Sequence, residues 1–287
     1  MIILSKIALV LEGGALRGIY TSGVLDVFLE ENILADCVIG VSAGALNSMS
    51  YITKQKGRSA KVNLEYHNDP RYIGAKALKS NKGIIGFDYL FGEISHSLLP
   101  FDFDAFQNSS QRFIAVATNC ITGKGEFFEK GKVSNILACI QASASMPLAS
   151  DMVFINNIPY LDGAVSTSIP IDWALKNDFD KIIVVLTRDK NYTKKEISKS
   201  LKRVYRAKYK NYPRLVKKIF TMPRRYNRIK RKIENLAEQQ KIFVIRPSQE
   251  VTVSRLEKDT KKLQDLYNQG IQDTKDCLPL LRTYLNS

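Results

Sequence analysis

The chain has 287 residues, 45% of them hydrophobic, and carries 43 Lys and Arg against 28 Asp and Glu for a net charge of +15. Such a length and apolar content fill one large domain, or one domain with an appendage; no uncharged apolar run approaches the roughly 18 residues that cross a bilayer, which excludes a transmembrane helix. Cys37, Cys120, Cys139 and Cys277 are widely separated and form no C-x-x-C pair, which argues against a zinc site and a disulfide framework and suits a reducing compartment.

The N-terminal apolar run has no basic segment before it and ends at Glu12, so it reads as a lead into a first strand, Ile7 to Leu11, and not as a signal peptide. Leu16 to Glu31 follows with helical spacing, its apolar positions leaving Asp26, Glu30 and Glu31 outward. Val38 to Val41 is a second strand running into a helix from Ala43 to about Lys54. Residues 67 to 110 are punctuated by Gly and Pro and rich in aromatics, which predicts loops and short elements, with 87 to 106 open to two readings, an acyl-chain pocket or ordinary core. Arg112 to Thr118 is a buried strand, Gly123 to Gly125 a hairpin turn, Val133 to Ala144 a helix, and Val153 to Tyr160 a hairpin with Asn156 and Asn157 at its tip. Lys181 to Leu186 has the continuous apolar character of a parallel strand and is expected to close the main sheet.

Beyond it, apolar positions from Ile197 to Phe220 recur at helical spacing, with Pro213 expected to kink or divide the helix. Lys241 to Arg246 reads as one more strand, and Ser254-x-x-Glu257 as a capping box opening a helix that stops at Gly270. The whole excess charge sits in one stretch: Asn191 to Lys241 holds 18 Lys and Arg against three acidic residues, and the remainder 25 of each sign. Alternation of strands and helices up to about residue 190 makes the class α/β, with a mostly parallel sheet covered by helices. The expected division is a catalytic domain over 5–190 and a basic, mainly helical extension over 191–287 packed on it.

Gly40-Val-Ser-Ala-Gly44 lies between a strand and a helix, the context in which G-x-S-x-G forms a nucleophile elbow around Ser42. Gly40 and Gly44 allow the sharp turn, while the helix dipole and the free N–H of Ala43 offer stabilisation of negative charge. The same spacing also suits a tight turn with an N-capping serine. Glu12-Gly-Gly-Ala-Leu-Arg-Gly18 ends the first strand with unpaired amides at the carboxyl edge of the sheet. As a dinucleotide loop it fits poorly, because Ala15 interrupts the glycine pattern and no acid ends a second strand. As an oxyanion hole it offers the backbone of Gly13, Gly14, Ala15 and Gly18, with Arg17 adding positive charge.

A serine nucleophile needs a base. Only His67 and His96 exist, both in the loop-rich stretch, and both read as surface residues. Asp162, in Asp162-Gly163-Ala164 directly after a strand, offers a carboxylate whose basicity burial would raise, although Asp-Gly is also an ordinary turn.

Together, Gly13-Gly-Ala-Leu-Arg-Gly18, Gly40-Val-Ser-Ala-Gly44 and Asp162-Gly-Ala164, with Gln141-Ala-Ser-Ala-Ser-Met-Pro147 ahead of the third, resemble the bacterial patatin-like phospholipases over residues 5 to 190. The resemblance implies a three-layer α/β/α sandwich, Ser42 as nucleophile, Asp162 as base, and the amides of Gly14 and Ala15 as oxyanion donors; Ala15 stands where many members carry a third glycine. It also implies hydrolysis of lipid acyl esters, of phospholipase A or lysophospholipase type, with no metal or organic cofactor. Rival readings are acyl transfer or thioester cleavage on the same dyad, and a basic binding protein with a vestigial site. Nucleic acid is not the expected partner, because Tyr205, Tyr209 and Tyr212 fall on the apolar side of their helix. Residues 194–232 are expected to touch anionic membrane, through Lys217, Lys218, Arg224, Arg225, Arg228, Lys230, Arg231 and Lys232. The expected location is cytoplasmic, peripheral at the inner membrane face.

Overall fold

A computed structural model describes residues 5–81 and 83–287. Met1 to Leu4, the start of the apolar run read as leading into the first strand, lie outside them. In chain order the elements are β1 (Ile7–Leu11), a 3-10 turn (Ala15–Gly18), α1 (Ile19–Glu30), β2 (Cys37–Val41), α2 (Ala43–Ile52), α3 (Arg58–Tyr66), α4 (Ala75–Asn81), α5 (Phe87–Tyr89) running into a π-helical stretch (Leu90–Leu98), and α6 (Phe103–Asn108). There follow β3 (Arg112–Asn119), β4 (Gly125–Glu129), α7 (Ile136–Ala144), β5 (Val153–Ile155), β6 (Ile158–Asp162), α8 (Ile171–Ala174), β7 (Lys181–Val185), α9 (Lys199–Lys208), α10 (Pro213–Glu238), β8 (Phe243–Ile245) and α11 (Thr260–Asn286).

Five strands lie parallel in the order β3-β2-β1-β7-β8, while β4 and β6 pair antiparallel with β3, and β5 with β6. Successive strand residues face opposite layers, as a pleated backbone requires. Leu9, Leu11, Val38, Phe113 and Val185 enter a core under α1, α2 and α11, whereas Ala8, Val10, Ile39, Ile114 and Val184 enter a second core with Tyr226 and Ile233 of α10. The molecule is therefore the expected α/β sandwich. Its sheet does not close at β7, because β8 from the C-terminal part pairs parallel with it from Ile183↔Phe243 to Val185↔Ile245. An isolated β7 edge would expose unpaired backbone, and three apolar residues after α10 are enough to cover it.

Several local expectations are corrected by packing. The helix from Leu16 begins as the 3-10 turn and becomes α-helical only at Ile19. Asp26 is not outward: α11 covers it, and its carboxylate accepts from Gly57 N (2.8 Å) and Tyr267 Oη (2.7 Å). Residues 67–110 are more helical than their glycines and prolines suggest, and α3 precedes them. Gly270 does not stop a helix. A Cβ there would lie 2.3 Å from Tyr20 O, and one at Gly23 2.4 Å from Tyr267 O, so two glycines let α1 and α11 cross in backbone contact while α11 runs on to Asn286. Glu257 does accept from Ser254 N (3.0 Å), but the cap of α11 is Asp259, which accepts from Lys261 N and Lys262 N. Pro213 divides the basic helical region by standing at the first turn of α10. Asn156 and Asn157 form the hairpin tip with φ of 49° and 63°, the left-handed pair that a two-residue turn requires.

Candidate active site

The carboxyl ends of β1, β2, β3 and β7 meet at one edge of the sheet, where segments leaving a parallel sheet converge into a crevice. Ser42 leaves β2 with φ 55° and ψ −122°, a backbone conformation costly for any residue bearing a Cβ. Surrounding contacts hold it there. Ser42 N donates to Ser143 Oγ (2.9 Å), and Ser143 Oγ donates to Val116 O (2.6 Å), tying the elbow to α7 and β3. Gly40 and Gly44 are required by proximity, since a Cβ would lie 2.5 Å from Ala45 N at the first and 2.6 Å from Leu11 O at the second.

Asp162 ends β6 opposite Ala117 of β3. Ser42 Oγ donates to its Oδ2 at 2.8 Å, Ala164 N donates to its Oδ1 at 2.8 Å, and Thr118 Oγ1 donates to its carbonyl. At Gly163 a side chain would strike Val116 O, so the turn after Asp162 sits directly on β3. Burial pushes the Asp162 carboxyl up to about 6, against the opposing pull of the Ala164 N–H, the Ser42 hydroxyl, Arg255 and Lys194.

The turn after β1 packs against this elbow. Thr187 Oγ1 donates to Gly13 O (2.9 Å), Asn47 Nδ2 donates to Gly18 O (2.6 Å), and Arg17 N donates to Gly14 O (3.2 Å). Among the described residues, the N–H groups of Gly14, Ala15 and Ala43 donate to no acceptor. Ala15 holds φ 51°, a left-handed backbone that glycine adopts freely and alanine only at a cost. Of the residues read as an oxyanion hole, Gly13 and Gly18 thus present carbonyls to side chains, and Arg17 turns into a neighbouring cleft.

Both histidines are elsewhere. His67 is buried, contrary to the surface reading, with Nε2 3.3 Å from Lys258 O and from Thr260 Oγ1; His96 is exposed and stacks on Phe103.

Two clefts meet at Ser42, sharing Ala15, Met146 and Arg255. One is lined by Leu46, Met49, Val62, Ile73, Leu90 and Phe91 among others, so part of the aromatic stretch reaches it. Phe101 and Phe106 instead join the main core, where Phe106 packs edge-on to Phe113. The other cleft is the more polar of the two and holds Glu12, Arg17, Asp162, Arg188, Lys194 and Arg255 beside apolar residues such as Met146 and Ile219. Sequence reasoning did not single out Ser143, Arg188, Lys194 or Arg255. Ser143 lay inside a segment already noted, but its target, the N–H of residue 42, is 101 positions away.

Residues 9–175 match the family model for patatin-like phospholipases. The chain belongs to the patatin-like phospholipase family. Its C-terminal residues 212–286 match a separate model, a domain of unknown function. Relatives of this family member include the uncharacterized protein YjjU of Escherichia coli K12, 32% identical over 187 residues (63% of this chain, 52% of that protein). Another is a probable lipid hydrolase, 463L, of Invertebrate iridescent virus 6, 30% identical over 189 residues (58% of this chain, 63% of that protein). The aligned stretch thus spans between half and two thirds of these relatives. Among solved structures, VipD from Legionella pneumophila overlaps 95% of the chain and 67% of its own length at a TM-score of 0.42 with 10% identity, a likeness that says nothing about activity.

Proposed function

We propose that this patatin-like protein is a serine hydrolase of lipid carboxylic esters, of phospholipase A or lysophospholipase type, working through Ser42 and Asp162. The observation that carries the reading is the 2.8 Å hydrogen bond from Ser42 Oγ to a fully buried carboxylate, at the point where an apolar and a polar cleft meet. Asp162 takes the hydroxyl proton as Ser42 attacks the acyl carbon, and its raised pKa makes it a better acceptor than an exposed aspartate. The oxyanion develops towards the amides of Gly14, Ala15 and Ala43 at the N-terminus of α2. Collapse expels the alcohol, which receives the proton back from Asp162 and leaves an acyl-Ser42. Asp162 then takes a proton from water as that water attacks the acyl carbon, and returns the proton to Ser42 Oγ as the acyl–oxygen bond breaks and the fatty acid leaves. The family membership and the probable lipid hydrolase among the relatives support a lipid ester as substrate.

A fluorophosphonate tests the reading, because such reagents trap an activated serine facing oxyanion donors. Labelling is expected on the peptide containing Ser42, with loss of both labelling and aryl-ester hydrolysis in Ser42→Ala. His67→Ala and His96→Ala should keep activity within a few-fold. Labelling of a different serine, or a loss of about 10³-fold in either histidine variant with folding preserved, would replace the dyad by another mechanism.

We further propose that the enzyme meets its substrate at an anionic membrane surface. No helix among the described residues is long and apolar enough to span a bilayer. Instead α9, beside the polar cleft that Tyr205 lines, has no buried residue and exposes Leu201 and Val204 among Lys199, Arg203 and Lys208.

A further inference from the structure

The polar cleft holds more positive charge than its own acids neutralise. Arg17, Arg188, Lys194 and Arg255 line it against Glu12 and Asp162 only, and none of the four cations makes an ion pair with a carboxylate among the described residues. Arg17 is 8% exposed, yet its Nε has no hydrogen-bond partner. Burying a guanidinium whose Nε has no partner beside other cations is costly, and an anion entering the cleft would offset that cost.

The other cations are positioned as deliberately as a binding site requires. The backbone of Lys194 is clamped by Asn227, which accepts from its N–H (2.9 Å) and donates to its carbonyl (3.0 Å), and Lys194 Nζ lies 4.3 Å over the Tyr226 ring. Arg188 donates to Val251 O (3.0 Å) with its guanidinium 4.3 Å over Tyr192. Arg255 belongs to the loop whose carbonyl accepts from Leu16 N (3.3 Å), which ties the C-terminal segment to the turn after β1. Burial lowers Lys194 to about 8 and Arg17 to about 10; the neighbouring cations pull both the same way, and Glu12 opposes without restoring either.

An ester bound at Ser42 must send its acyl chain and its alcohol in different directions. The apolar cleft suits the chain. We propose that the cationic cleft is a subsite for a phosphate group on the departing alcohol, and that the C-terminal segment, through Arg255 and the Tyr226 and Asn227 support of Lys194, builds much of it. This rests on the hydrolase reading for its orientation. A phosphate offers several charged acceptor oxygens to the forked donors of arginine, whereas a neutral glyceride offers only uncharged hydroxyl and ester oxygens. The domain of unknown function would then be part of the active site.

Binding is separated from turnover by using Ser42→Ala protein in titration calorimetry with sn-glycerol 3-phosphate, inorganic phosphate and glycerol. Glycerol 3-phosphate is expected to bind at least tenfold more tightly than either of the others, and Lys194→Gln or Arg255→Gln on that background to weaken it tenfold or more. In active protein, the ratio of kcat/KM for a monomeric short-chain lysophospholipid to that for the matching monoacylglycerol should fall about 30-fold in Lys194→Gln. Arg255→Gln, in a different segment, should move the ratio the same way, and melting curves and Ser42 labelling report whether each variant is folded. No glycerol 3-phosphate binding, equal binding of inorganic phosphate, or an unchanged ratio in both folded variants overturns the subsite. Failure of the hydrolase reading shows separately, as absence of labelling at Ser42.

Discussion

Burial gives Asp162 its chemistry and charges the fold for it. A carboxyl raised from 3.8 to about 6 in the folded protein holds more protons there than in the unfolded chain between those values. Its contribution to stability is therefore fully present below about 3.8 and is lost as pH rises through about 6, so that at pH 8 the ionised group costs on the order of 3 kcal/mol. Asp162→Asn keeps an acceptor for Ala164 N and a polar partner for Ser42 but holds no charge. We expect it to lose about 10³-fold or more in aryl-ester hydrolysis while melting at or above the wild-type temperature at pH 8, with the difference shrinking at pH 5. The wild-type kcat/KM should decline as pH falls below about 6, where Asp162 becomes protonated. A variant that melts well below wild type at pH 8 would show that the charge is stabilising and the account of burial wrong.

At the level of elements, the basic helices are less uniform than their sequence suggests. Arg225 turns inward and donates to Val165 O, Ser166 O and Lys218 O, clamping the turn that follows Asp162. Lys230 donates to Lys190 O and Tyr192 O, while Arg224 pairs with Glu196 and Lys232 with Asp172. These four members of the expected membrane patch have structural partners. Lys199, Arg203, Lys208, Lys217, Arg228 and Arg231 are among the exposed cations of α9 and α10 and make none of these contacts. At about 1 kcal/mol for each cation near an anionic surface, six supply useful affinity, and salt should weaken it. Co-sedimentation of Ser42→Ala protein is expected with anionic but not zwitterionic vesicles, with loss on adding salt and on changing those six residues to Gln. Equal pelleting of both proteins, or none by either, would leave the patch as a solvated face.

Across the whole molecule, the C-terminal segment behaves as structure and not as an appendage. It supplies β8 to the sheet, Tyr226 and Ile233 to one core, and Leu263, Leu266 and Leu281 to the other. We propose that residues 5–190 and 191–287 fold as one cooperative unit. Cutting at 190 strips apolar cover from both faces and opens the β7 edge. Residues 1–190 expressed alone should aggregate, or show no cooperative thermal transition, whereas the full chain melts in one step. A fragment that unfolds cooperatively with labelled Ser42 would make the segment a separable addition.

What the sequence determined by itself lies where neighbours in the chain decide the outcome. Continuous apolar runs mark β1, β2, β3 and β7, the Asn-Asn pair marks its hairpin, and glycines around Ser42 mark the elbow, because each reflects backbone geometry over a few residues. The juxtaposition of Ser42 and Asp162 was legible only through family resemblance, since 120 positions separate them. Tertiary structure alone decided that Gly270 is a helix crossing and not a stop, that Asp26 and His67 are covered, and that Arg188, Lys194 and Arg255 gather around Arg17. Glycine serves a helix end and a close contact equally well, and a lysine is written the same way whether it faces water or a cleft. Which meaning holds depends on what packs against it, and that packing comes from segments as far apart as 20 and 270.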